Sequence, residues 1–226
     1  EVDLLNSITS TAEHALCLLL IGVTKTNFAI KSVSEGVWDR IANVKYKQLS
    51  SRKVGIVGYG RLGRMIASYL KNLAEEVLVW DVSPAACDIA RFDGFKVTED
   101  LSDLLGRVDV VTLHVSTTRE EKPILTKNRI AQLNQGVIVV NTSRGSVVDE
   151  HAISSAIDSG LISMYLTDVL EFEENSQDIS DSILWKKSLE NSRIVITPHI
   201  GGASLDAMRK CEARLLDRLL KTIENQ

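Results

Sequence analysis

The run Lys53-Val54-Gly55-Ile56-Val57 passes directly into Gly58-Tyr59-Gly60-Arg61-Leu62-Gly63, and few folds can absorb that junction. A short β-branched stretch favours extended chain, the glycines permit a tight turn with unobstructed backbone, and a helical pattern follows over Leu62–Leu73. A strand feeding a helix in this way opens a βαβ unit. The rhythm then repeats. Candidate strands lie at Lys53–Val57, Glu76–Trp80, Asp109–Val115, Gly136–Asn141, Ile162–Val169 and Arg193–Ile196, with helical runs at Asp149–Ser159 and Leu205–Ile223. Strands of near-continuous Val, Ile and Leu belong in a parallel sheet covered on both faces. The expected fold is therefore α/β: a Rossmann-type doubly wound parallel sheet.

The glycine pattern also carries chemistry. Gly58 permits the turn, Gly60 lets backbone approach a pyrophosphate, and Gly63 lets the helix pack on the strand. Arg61 and Leu62 open that helix, whose N-terminus offers free amides and positive dipole to phosphates. The second strand ends in Asp81, eighteen residues beyond Gly63. A carboxylate there accepts hydrogen bonds from ribose hydroxyls and repels a 2′-phosphate, so the expected cofactor is NAD rather than NADP.

Ligands of open α/β sheets bind beyond the carboxyl ends of the strands. Those ends read His114-Val115-Ser116, Asn141-Thr142-Ser143-Arg144-Gly145, Asp168, and Thr197-Pro198-His199-Ile200-Gly201-Gly202. Arg144 can fork onto a carboxylate. His199 is the side chain suited to moving a proton near neutral pH. Glu173, in an acidic loop-like stretch from Asp168 to Ser188, is placed to hold the imidazole, with Glu171 and Glu174 as alternatives. His114 is expected near the cofactor through its neighbours' backbone, and His14 and His151 read as structural.

Taken together, these motifs make the chain similar to the D-2-hydroxyacid dehydrogenases, nearest to their phosphoglycerate dehydrogenase branch. Ser10-Thr11-Ala12-Glu13-His14 also resembles the start of that family's interdomain helix. The resemblance implies NAD-dependent hydride transfer to or from a small 2-hydroxy or 2-oxo acid, 3-phosphoglycerate being one candidate. It implies Arg144, Glu173 and His199 as the catalytic set. Cofactor contacts would come from Gly58, Gly60, Arg61, Leu62, Gly63, Asp81, His114, Val115, Thr142, Ser143, Asp168, His199, Gly201 and Gly202, with Asp168 on the nicotinamide carboxamide. Two departures stand out: Glu173 is followed by Glu174 where the family has proline, and Ser116 replaces the proline of His-x-Pro. A formate-oxidising relative and an NAD-sensing corepressor-like interaction module are the competing readings. Glu173 speaks against the former, because formate has no hydroxyl proton to remove.

The resemblance also sets the expected organisation: residues 1–34 as an interdomain or dimer helix region, 35–204 as the NAD-binding domain and 205–226 as a returning helix. A substrate domain preceding the first helix is expected to be largely absent, leaving the chain inactive by itself. The Thr11–Asn27 helix suggests a homodimer, and its Leu16–Ile21 run reads as a buried interface rather than a membrane anchor. A net charge of −4 argues against nucleic-acid or anionic-membrane partners. Three scattered cysteines have no metal-ligand spacing, so no metal is expected and a cytoplasmic, reduced state is.

Overall fold

A computed structural model describes residues 7–41, 46–116, 123–175 and 178–224. Its centre is one all-parallel sheet of seven strands: β1 (Lys53–Val57), β2 (Glu76–Trp80), β3 (Lys96–Val97), β4 (Val110–Leu113), β5 (Val137–Asn141), β6 (Ile162–Thr167) and β7 (Ile194–Ile196), in the order β3-β2-β1-β4-β5-β6-β7. The order reverses between β1 and β4, which opens a crevice beyond their carboxyl ends. The expected doubly wound fold is the observed one.

Strands buried on both faces need covering layers. On one face, α1 (Ser10–Thr24) and α3 (Arg61–Leu70) pack on the sheet. On the other lie α5 (Leu101–Leu105), α6 (Lys127–Ile130), α7 (Glu150–Asp158) and α8 (Ile183–Ser188). α1 turns Ala12, Ala15, Leu18, Leu19 and Val23 inward, each at most 1% exposed. A Cβ at Gly22 would come within 2.7 Å of Leu166 and 2.9 Å of Ile138, so the helix seats on β5 and β6 at van der Waals limit. Burying Leu18 and Leu19 contributes about 1.5–3 kcal/mol each. The apolar face of α1 is thus spent on its own sheet.

Several boundaries differ from the sequence pattern. The helix expected over Thr11–Asn27 breaks at Lys25, whose φ of 54° is left-handed, and α2 (Thr26–Ser34) leaves in a new direction. The stretch expected to be an acidic loop, Asp168–Ser188, contains 3₁₀ turns at Glu171–Asn175 and Ile179–Asp181, then α8. Ser182 caps α8 by accepting from the Trp185 amide, a signal that the neighbouring carboxylates mask. β3 and α4 (Pro84–Phe92) also went unrecognised; both are short, and α4 is announced mainly by its cap, Ser83 accepting from Ala86. The final helix α9 (Leu205–Glu224) leaves Leu215, Leu216, Leu219, Leu220 and Ile223 exposed. Among the described residues no single helix is long and apolar enough to cross a membrane.

Candidate active site

Local chemistry at four strand ends builds a cleft of about 750 Å³ bordered by Gly60, Arg61, Thr142, Arg144, Asp168 and His199. Its floor is the β1–α3 turn. Gly58 takes φ +96°, and a Cβ there would sit 2.5 Å from the His114 carbonyl oxygen. At Gly63 a Cβ would lie 2.0 Å from the Gly58 carbonyl oxygen, while the same addition at Gly60 would meet nothing within 4 Å. Two glycines therefore close the turn, and the third leaves bare backbone facing the cleft. Leu62 and Val115 line the same space. Asp81, at the end of β2, accepts from the Tyr59 amide at 2.6 Å and the Ser83 amide at 2.7 Å. It stands apart from the residues that line the main cleft.

The β5 end is fixed from within. Buried Asn141 accepts from the Ser143 amide and donates to the Arg144 carbonyl, at 3.0 and 2.9 Å. The Ser143 hydroxyl donates to Leu113 O and accepts from the Val115 amide, tying β4 to β5. Its hydroxyl is thereby a structural tie, a role the strand-end reading had not separated from cofactor contact. The exposed Arg144 guanidinium folds back onto the Ser143 carbonyl at 2.7 Å; among the described residues no carboxylate engages it. Gly145 explains the crowding beneath it: a Cβ would come within 2.1 Å of the Leu170 carbonyl carbon and 2.2 Å of the Glu171 nitrogen. The Arg144 loop and the Glu173 loop thus touch backbone to backbone.

His199 stands at φ 53°, an uncommon conformation for a side chain with a Cβ. What holds it is Asp168, only 2% exposed. The Asp168 carboxylate accepts from the Ile200 amide at 3.0 Å, the Gly201 amide at 2.8 Å and the Thr197 hydroxyl at 2.5 Å. Gly201 consequently faces inward, and Gly202 lines the cleft. Oδ2 of Asp168, with a single acceptor bond from Gly201, keeps a lone pair for a further donor.

The imidazole of His199 is half-exposed, with Nδ1 2.6 Å from Glu173 Oε2. Glu173 Oε1 in turn accepts from the Leu170 amide at 2.7 Å. Of Glu171 and Glu173 it is Glu173 that makes this contact, while the Glu171 amide donates to Glu150; the side chain of Glu174 lies outside the described residues. An imidazole held at Nδ1 by a carboxylate presents Nε2 for proton exchange.

Thr11 went unrecognised beside the cleft, and His14, read as structural, takes a structural place. His14 lies 2.9 Å from Thr197 Oγ1 and 3.3 Å from Asp168 Oδ1, and Thr11, one turn earlier on α1, lines the cleft. Their i, i+3 spacing on a helix beside the Thr-Pro-His strand end was the available signal. His114 is buried, and removal from water pushes its imidazole down to about 4, so it is neutral. Its Nε2 pairs with Thr112 Oγ1 at 2.9 Å. Its Nδ1, like Thr142 Oγ1, is buried without a partner among the described residues. Both residues border the cleft, so a polar ligand lying there could satisfy them.

A glycine turn that leaves bare backbone at the cleft, a carboxylate at the neighbouring strand end and unpartnered polar atoms on His114 and Thr142 suit a dinucleotide. Residues 16–201 match the family model described as the NAD binding domain of D-isomer specific 2-hydroxyacid dehydrogenases. The chain belongs to that family. It is an NAD-binding domain. Hydroxypyruvate reductase of Thermotoga maritima is 30% identical over 217 residues, covering 96% of this chain and 67% of that protein. D-3-phosphoglycerate dehydrogenase of Archaeoglobus fulgidus is 35% identical over 198 residues, 88% of this chain but only 36% of that enzyme. The D-lactate dehydrogenase of Aquifex aeolicus, solved with NAD and lactic acid, superposes with a TM-score of 0.86 at 25% identity, over 97% of this chain and 68% of that one. The chain therefore spans from about a third to two thirds of the length of such relatives.

Proposed function

We propose that this domain is the cofactor-binding part of an enzyme that interconverts a small D-2-hydroxy acid and its 2-oxo acid. NAD, when bound, supplies the hydride acceptor or donor. Arg144 binds the substrate carboxylate in bidentate fashion once it exchanges the Ser143 carbonyl for the ligand. His199 Nε2 takes the hydroxyl proton in oxidation and returns it in reduction, and Glu173 stabilises the imidazolium so formed. Asp168 fixes the loop that carries His199, and its remaining lone pair accepts from the nicotinamide carboxamide. The observation that carries this reading is the 2.6 Å contact between His199 and Glu173 at the mouth of a dinucleotide cleft.

The substrate class extends to 3-phosphoglycerate, in keeping with the 35% identity to a D-3-phosphoglycerate dehydrogenase. We also propose a homodimer. With the inner face of α1 committed to its own sheet, the exposed Ile30, Val33, Val37, Trp38 and Ile41 that follow it are the surface for a second copy.

The test is turnover of the natural gene product with NADH on a panel of 2-oxo acids, with formate and NAD as a separate arm. Turnover is expected with a 2-oxo acid, and His199→Ala should abolish it while NADH affinity stays within about twofold of the parent. Full activity in His199→Ala, or activity confined to formate, would overturn the reading.

A further inference from the structure

We infer that Glu150 is the positioning residue of the acid/base pair: through a buried carboxylate it anchors the loop from which Glu173 reaches His199. This rests on the dehydrogenase reading for its catalytic meaning, though not for its structural test.

Glu150 stands at the first position of α7, only 5% exposed. A carboxylate that far from water has a large desolvation cost unless its oxygens are satisfied. Here each oxygen takes a different element of the loop. Oε1 accepts from the Glu171 amide at 3.0 Å, and Oε2 accepts from the Ser182 hydroxyl at 3.1 Å. Ser182 caps α8 with the same oxygen. One carboxylate therefore clamps both ends of the segment that begins at Leu170 and ends at α8. Burial pushes the Glu150 carboxyl up, against the two hydrogen bonds that favour its ionised form. The Glu171 carboxylate raises it further and His151 lowers it. The α7 N-terminus also favours the anion.

The loop so clamped has little freedom at its root. The Leu170–Glu171 backbone is pressed against Gly145, and the Leu170 amide holds Glu173 Oε1. Glu173 Oε2 is then delivered to His199 Nδ1. Removal of Glu150 would free the Glu171 amide and the Ser182 hydroxyl together, and Glu173 would lose its fixed root two residues away. Glutamine is the conservative replacement, because its amide oxygen can accept from Glu171 while its NH₂ donates to Ser182.

The decisive experiment is low-temperature proton NMR of this 226-residue chain. A short Nδ1–H···Oε hydrogen bond gives a downfield proton resonance, assigned to His199 by its loss in Glu173→Gln. The resonance is expected to vanish in Glu150→Ala, persist in Glu150→Gln, and leave NADH affinity within about twofold of the parent as proof of an intact cofactor site. Glu150→Asp, too short to reach both partners, replaces Ala should that variant fail to fold, and it too should lose the resonance. Persistence in folded Glu150→Ala or Glu150→Asp would overturn the proposal, as would equal loss in Glu150→Gln. In the natural gene product, Glu150→Ala is expected to cut kcat about tenfold to a hundredfold with KM little changed. That loss should be largely absent when Glu173→Gln is already present. Additive losses would overturn the assignment, whereas an inactive parent would instead sink the dehydrogenase reading and leave the NMR result standing.

Discussion

Nδ1 of His199 lies 2.6 Å from Oε2 of Glu173, joining two loops 26 residues apart in the chain. One loop is held by Asp168 and the other by Glu150, so the pair is set by two buried carboxylates that do not themselves face it. Glu173→Gln keeps the shape but removes the charge that favours imidazolium. Turnover of the natural gene product is expected to fall about a hundredfold with NADH affinity unchanged, measured by steady-state rates and NADH fluorescence titration. An unaltered kcat would remove Glu173 from the mechanism.

Asp168→Asn tests the other anchor. An amide cannot accept from Ile200 and Gly201 with both of its heads, so one backbone N–H is left facing a donor. Unfolding in urea should show a loss of about 2 kcal/mol. Restored stability in the asparagine variant would mean that the carboxylate is not what holds His199 at its left-handed φ.

Gly145→Ala should behave as a severe lesion although it adds a single methyl. The Cβ would lie 2.1 Å from the Leu170 carbonyl carbon, and backbone cannot yield as a flexible side chain can. Expected outcomes are a melting temperature lowered by several degrees, corresponding to about 1–3 kcal/mol, and loss of the His199–Glu173 contact. A neutral melting curve would contradict the tight packing of the two loops.

Asp81→Ala addresses cofactor choice. Removal of the carboxylate withdraws the ribose acceptor and the charge that repels a 2′-phosphate. NADH should bind more weakly and NADPH more tightly, read as a fall in the ratio of the two affinities by at least about tenfold. A constant ratio would show that Asp81 serves only Tyr59 and Ser83.

His114 predicts a dependence on pH. Its folded-state value of about 4 lies below the ordinary 6.5, so the unfolded chain binds a proton that the folded chain refuses. Stability from this residue is complete above pH 6.5 and is lost as the pH falls from there towards 4, on the order of 3 kcal/mol in total. Urea unfolding of wild type and His114→Gln should diverge at pH 7 and approach each other near pH 4.5. Parallel curves would place the acid sensitivity elsewhere.

Much of this architecture was legible along the chain. β1 and β2 match their sequence-derived limits, since alternating burial is unnecessary in a sheet covered twice and apolar runs suffice to mark it. Glycine spacing located the β1–α3 turn, and Asp81, Arg144 and His199 lie just past strand ends, where the sequence put them. Partnerships were harder to see. The choice between Glu171 and Glu173 needed three dimensions, because spacing alone cannot say which carboxylate turns towards a distant histidine. His14 read as structural, and its contacts with Thr197 and Asp168, just past β7 and β6, agree with that, though the sequence could not name such distant partners. Glu150 was invisible for the same reason: an acidic residue after Asp149 at a helix start is ordinary dipole chemistry, and only its burial reveals another duty.

The contact at Gly145 has an evolutionary corollary. Two loops that share a backbone surface cannot drift independently. An insertion beside Arg144 must be matched by a rearrangement near Leu170, or the acid/base pair is displaced. Divergence in substrate preference within such a lineage would accordingly be channelled away from these loops, and a designer who grafts one of them into another scaffold must carry its counterpart with it.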